Sequence, residues 1–249
     1  MNFIQAVAAA RRVPAPSPGG IVTTGLQLNL DAANAASYPG SGNTWYDLVN
    51  GHHVTMKNGA SYVATAGGAF SFDGVNDVGH NTTFPWASFV NCTIECWLYP
   101  TKTNSDGTFF GAQWGNPGGK GHLMYLDVGD GAYGYDGVWN VNPIGTIRTG
   151  VTDPNARANA WQHVVCVFNG KSMVPSCALY VNNVLRGTSS GGTSLDSSSN
   201  LGFGIGTENS FAVTRLWGGL IAEARVYNSA FTATDVSQNF NATKSRYGL

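Results

Sequence analysis

The sequence predicts an all-β fold, a two-layer β-sandwich with one short helix near the C-terminus. Three observations carry the prediction. Charged residues make up 11% of the 249 positions and aromatics 12%, with 33 glycines. A typical globular chain is ~25% charged, so this mix suits many strands joined by tight turns. Apolar residues recur with period two in run after run, and the pairs Asp73-Gly74, Asn169-Gly170 and Asn182-Asn183 punctuate them. Such pairs favour tight turns. The length fits one sandwich, which can reach ~200–250 residues as a single domain.

The first twenty residues, MNFIQAVAAARRVPAPSPGG, are unlike the rest. Residues 2–12 favour helix, and Phe3, Ile4 and Val7 fall on one face. A helix this short is marginal alone and needs a surface to lie on. Arg11 and Arg12 follow it, then a Pro-rich stretch and a Gly pair, which read as linker. Positive charge after the apolar block is the reverse of a secretory signal. The expectation is an anchoring arm over 1–20 and a sandwich over 21–249, with an unstructured tail as the plainer alternative. Burying Phe3, Ile4 and Val7 on a partner would contribute ~1.5–3 kcal/mol each.

From Thr24 onward the period becomes two. Leu26, Leu28 and Leu30 alternate with Gln27 and Asn29, a strand with one buried face. Phe70 and Phe72 share one side of the next clear strand, which turns at Asp73-Gly74. CTIECWLYP and WQHVVCVFNG are nearly continuous in bulky residues and read as central strands. CALYVNNVLRG is a hairpin turning on Asn182-Asn183, and NLGFGIG is a Gly-spaced strand. In GGLIAEARVYN, the alternation places Leu220, Ala222, Ala224 and Val226 on one face, with Glu223 and Arg225 on the other, close enough to pair. Thr232 and Asp235 form a capping box ahead of Val236 and Phe240, so a helix begins there. NATKSRYGL reads as a polar tail. The Gly-, Ser-, Asn- and Thr-rich stretches 100–120, 127–160 and 186–200 read as long loops with at most short strands.

Several function classes are excluded. Net charge is −1 with no basic stripe, so nucleic acid is not an expected partner. No apolar run approaches the ~20 residues that membrane insertion requires. Cys92, Cys96, Cys166 and Cys177 lack zinc-site spacing, and buried free thiols are expected. No G-x-S-x-G, phosphate loop or dinucleotide fingerprint occurs. His163 alternates with apolar neighbours and reads as a hydrogen-bonded core histidine, and His52-His53 as an exposed loop pair.

In order along the chain, GLQLNLDA, AFSFDGVND, TIECWLYP, WQHVVCVFNG, LYVNNVLRG, NLGFGIG and GGLIAEARVYNSAFTATDV resemble a laminin G-like domain. That family lies within the concanavalin A-like lectin/glucanase superfamily. The resemblance spans roughly Thr24 to Asn241 and implies a jelly-roll sandwich of two antiparallel sheets. The ending NFNATKSRYGL is similar to copies found in tailed-phage virion proteins. Fold alone does not fix function, since the superfamily holds sugar binders, glycosidases, calcium-dependent modules and scaffolds.

The hydrolase branch implied by the resemblance carries paired acids as E-x-D-x-x-E. This chain has three Glu (Glu95, Glu208 and Glu223), none with an acid two positions away, so no enzyme is expected. Calcium is a candidate ligand: family members often hold it with Asp and Asn at one rim, and Asp127, Asp130 and Asp136, with Asp73 and Asp77, supply such oxygens. Asp-Gly is equally the chemistry of ordinary turns. For sugar binding, Trp114, Tyr133, Tyr135, Trp139 and Asn140 offer flat rings beside a polar group. Trp97 and Trp161, in strand runs, read as core. The resemblance implies a non-enzymatic accessory virion protein, decorating a capsid or tail. Its arm (Phe3, Ile4, Val7, Arg11, Arg12) would bind other virion proteins, in multiple copies or as a homo-oligomer, with weak binding to cell-surface polysaccharide. The alternative is a secreted or cell-surface glycan-binding adhesin.

Overall fold

The structure is a computed structural model that describes residues 19–101, 107–114, 120–127, 134–140, 146–152, 159–170, 176–190, 202–208 and 215–249. Of these, 87, 113–114, 120–127, 134–140, 146–152 and 189–190 are described by backbone alone. In chain order the described strands are β1 (Leu26–Asp31), β2 (Thr44–Trp45), β3 (Val54–Lys57), β4 (Ser61–Val63), β5 (Ala69–Asp73), β6 (Val78–Asn81), β7 (Asn91–Pro100) and β8 (Gly107–Trp114). They continue with β9 (Lys120–Asp127), β10 (Gly134–Asn140), β11 (Thr146–Thr152), β12 (Gln162–Asn169), β13 (Ser176–Val181), β14 (Val184–Ser190), β15 (Phe203–Ile205) and β16 (Gly218–Tyr227). One sheet runs β14-β13-β12-β7-β16-β5-β4, with β1 pairing beside β5 along β16. The other runs β11-β10-β9-β8-β15-β6-β3-β2, and the paired strands of both sheets are antiparallel. This is the sandwich the residues predict, with a single short helix, α1 (Ala233–Thr243), near its C-terminus.

The core between the sheets is apolar. Leu28, Leu30, Phe70, Ile94, Leu98, Val164, Phe168 and Ile221 of the first sheet meet Trp45, Val54, Phe110, Phe203 and Ile205 of the second. All four cysteines are free and buried. Burial pushes the Cys92 and Cys96 thiols up, which keeps them neutral and unreactive.

The β13–β14 hairpin turns where Asn182-Asn183 predicted, both residues holding positive φ (50° and 64°). The capping box is also present: Thr232 Oγ1 accepts from the Asp235 N–H, and the Asp235 carboxylate accepts from the Thr232 N–H. Val236 is buried and Phe240 packs beside Trp97.

Three expectations are corrected. The stretches read as long loops contain β8, β10 and β11, which with β9 between them form a meander of four strands, and β14 continues to Ser190. Their glycines weaken the local signal, and the cross-strand ladder supplies the stability instead. The single apolar face expected of Leu220, Ala222, Ala224 and Val226 is broken by a bulge, because Ile221 pairs with Leu98 while Glu223 pairs with Trp97. The extra residue resets the alternation. Ile221, Ala224 and Val226 therefore enter the sandwich core, whereas Leu220 and Ala222 join a cluster on the outer face. Finally, NATKSRYGL is not a free tail: Lys244–Tyr247 form a 3-10 turn that buries Tyr247 and most of Arg246.

Candidate functional site

The sequence-chosen sugar residues are separated by strand register. Trp139 of β10 and Ala112 of β8 both pair with His122 of β9, so they share a sheet face. Trp114 and Tyr135, an even number of residues away on their strands, share it too. Ala112 is fully buried in the sandwich core, which identifies that face as the one continuing the interior. Asn140 pairs with Gly121 and belongs to the opposite face. Asp127 pairs with Gly134, so Asp127 and Asp136 also take that opposite face. Tyr133, Asp130 and the arm residues Phe3, Ile4, Val7, Arg11 and Arg12 lie outside the described residues.

The FDGVND acids are engaged in turn chemistry. Asp73 Oδ1 accepts the N–H groups of Val75 and Asn76 at 2.7 and 3.2 Å, and Asp77 Oδ2 accepts the Asp73 N–H at 2.9 Å. Among the described residues, no three His, Cys, Asp or Glu side chains are grouped to hold a metal.

The densest chemistry lies elsewhere, on the outer face of the first sheet, under α1 and the Lys244–Tyr247 turn. Arg225 is 3% exposed and reaches three partners: Asn29 Oδ1 at 3.0 Å, Glu95 Oε1 at 2.8 Å and the Glu223 carboxylate. Arg246 donates to Asp31 Oδ1 (2.6 Å), Glu223 Oε1 (2.7 Å) and the carbonyls of Ala66 and Gly68. Tyr247 donates its hydroxyl to Glu223 (2.6 Å), and Asn239 donates to Glu95 (2.9 Å). His163 is fully buried, stacks on Trp97 and sets Nε2 3.4 Å from Glu95 Oε2. Burial alone would raise the Glu95 carboxyl. His163, Arg225 and Asn239 outweigh it and lower the value to about 2. The pairing of Glu223 with Arg225 was legible in the sequence, and its burial was not.

A cavity of about 500 Å³ opens beside this network. Its walls include Ile21, Asn29, Asp31, Asn34, Leu48 and Ser245, with Glu223, Arg225 and Arg246. Sequence reasoning missed the site. The signals available were a run of polar residues (Gln27, Asn29, Asp31) on one side of a strand and the Glu223–Arg225 pair.

A laminin G-type family model, described as the concanavalin A-like lectin/glucanases superfamily, matches residues 72–237. The chain belongs to this superfamily. Among solved structures, a similar fold occurs in Trypanosoma rangeli sialidase in complex with sialic acid, at 15% identity and TM-score 0.65. That match covers 91% of this chain and 34% of the sialidase, so the chain spans about a third of that protein. Domain 4 of AbnA, an extracellular arabinanase from Geobacillus stearothermophilus, solved with arabinotriose, is 17% identical at TM-score 0.63, covering 87% of this chain and 98% of that one. The botulinum neurotoxin serotype D binding domain is 12% identical at TM-score 0.61, covering 87% and 51%. At these identities the likeness is one of fold. No curated protein sequence matches the chain.

Proposed function

We propose that the chain is a non-enzymatic, lectin-like domain that binds a surface glycan and is displayed on a larger particle by its N-terminal segment. One observation carries the non-enzymatic half: all three glutamates are held in ion pairs. Glu95 and Glu223 are clamped by Arg225, and Glu208 lies 3.1 Å from Arg215 Nε. A general acid needs a pKa near the working pH, and Glu95, lowered to about 2, stays ionised. The glycan half is supported by the superfamily fold and by neighbours solved with sialic acid and arabinotriose. The test passes the intact protein over immobilised glycans and assays the same glycans for new reducing ends. Retention without hydrolysis is expected. Cleavage lost on replacing a carboxylate of this chain would overturn the reading.

Display on a particle rests on the sequence before Gly19, where the apolar face of Phe3, Ile4 and Val7 is followed by Arg11, Arg12 and a Pro-rich stretch. Gly19 and Gly20 are tied through their carbonyls to Gln238 Nε2 at 3.5 and 3.3 Å, and the Val22 N–H donates to Asn239 Oδ1 at 2.7 Å. The particle is a virion in this reading, its partners are other virion proteins, and several copies per site would add avidity. Deleting residues 1–19 is expected to leave a folded domain that no longer co-purifies with the particle, and retained association would overturn the anchor.

A further inference from the structure

The cavity beside β1 differs from the strands that the sequence put forward for sugar binding. It lies on the outer side of the opposite sheet, between β1, Ala33-Asn34, Leu48 and the Lys244–Tyr247 turn. Two carboxylates, Asp31 and Glu223, and two guanidiniums, Arg225 and Arg246, line it. These charges are spent on each other: Arg225 on Glu95 and Glu223, and Arg246 on Asp31, Glu223 and two carbonyls. Behind them Glu95 adds a further carboxylate. An anionic ligand would therefore find no unengaged cation here.

What remains for a ligand is neutral hydrogen-bonding capacity. Asn29 uses Oδ1 on Arg225, and Asn34 uses Oδ1 on the Ala36 N–H. Asp31 uses Oδ1 on Arg246 and the Ala33 N–H. That leaves Asn29 Nδ2, Asn34 Nδ2, Asp31 Oδ2 and Ser245 Oγ without a partner among the described residues. They comprise two amide donors, one acceptor and one hydroxyl. Ile21, Ala33, Leu48 and Ala242 supply apolar wall between them. Donors and acceptors placed around an apolar wall suit the hydroxyls and C–H face of a sugar ring. The ionic network fixes Asn29 and Asp31 in position, so they are ordered before any ligand arrives.

We propose that this cavity is the binding subsite for a neutral saccharide of one to three rings. The inference rests on the glycan-binding reading and gives it a location and a charge class. The test measures retention of the full chain on immobilised arabinotriose and a panel of other neutral oligosaccharides, with sialyllactose as the anionic comparison. Asn34 and Ser245 are exposed, so Asn34→Ala and the occluding Ser245→Trp spare the core. Expected are retention on a neutral glycan, at least tenfold weaker in both variants, and no retention on sialyllactose. Asn140→Ala, on the face of the other sheet away from its interior, is expected to bind normally. Loss in Asn140→Ala with binding intact in the two cavity variants would overturn the subsite but keep the glycan-binding reading. Equal retention on sialyllactose would overturn the charge class. No retention on any glycan would overturn both readings.

Discussion

On β7, Ile94, Cys96 and Leu98 alternate with Thr93, Glu95 and Trp97, and the two sets meet different environments. The inner set packs among aliphatic and aromatic side chains, where shape and volume decide the fit. The outer set is just as buried but meets directed partners: Glu95 binds Arg225, Asn239 and His163, Trp97 donates to Thr243 Oγ1 and stacks on Tyr247, and Thr93 Oγ1 donates to the Ser229 carbonyl. An apolar core tolerates near-isosteric exchange at modest cost. A buried ionic lattice does not tolerate losing one member, because the partner's charge is left uncompensated. The inner face thus supplies generic cohesion. The outer face fixes where α1 and the Lys244–Tyr247 turn must sit, and so shapes the cavity.

The most severe test of this contrast is Arg225→Ala, which leaves Glu95 without a guanidinium and Glu223 with Arg246 alone. Stability should fall by about 3–5 kcal/mol, read from the shift in urea midpoint. A loss under about 1 kcal/mol would mean the lattice is dispensable. Acid sharpens the same point. The Glu95 carboxyl is lowered from its usual 4.5 to about 2 in the folded protein. Its contribution is therefore complete above about pH 4.5 and lost as pH falls toward about 2. Urea midpoints should decline across that interval in the native sequence and decline less steeply in Glu95→Gln. The smallest effect belongs to the inner face. Ile94→Val, which removes one methylene from a fully buried side chain, should cost about 0.5–1.5 kcal/mol. A loss as large as that of Arg225→Ala would erase the distinction.

The inner face was largely legible in the sequence, because burial on one side of a strand writes period two directly. The Asn182-Asn183 turn and the Thr232–Asp235 capping box were legible for the same reason, as each is decided by neighbouring residues. What could not be read was decided at long range. Asn29 and Asp31 look like solvent-facing positions until Arg225 and Arg246 arrive from almost two hundred residues or more away. The Ala222 bulge exists only in relation to β7. Strands β8 to β11 carry glycines that mimic loop composition, and their pairing partners are what make them strands.

The contact between Arg246 and Asp31 joins positions 215 residues apart. A ribosome makes the chain from the N-terminus at about 5–20 residues per second, so Asp31 emerges many seconds before its partner exists. Until residues 239–247 leave the exit tunnel, Glu95, Glu223 and Arg225 face open water with no lid above them. The outer face of the domain is thus sealed only once residues 239–247 have been added, long after Asp31 and Glu95 are in place.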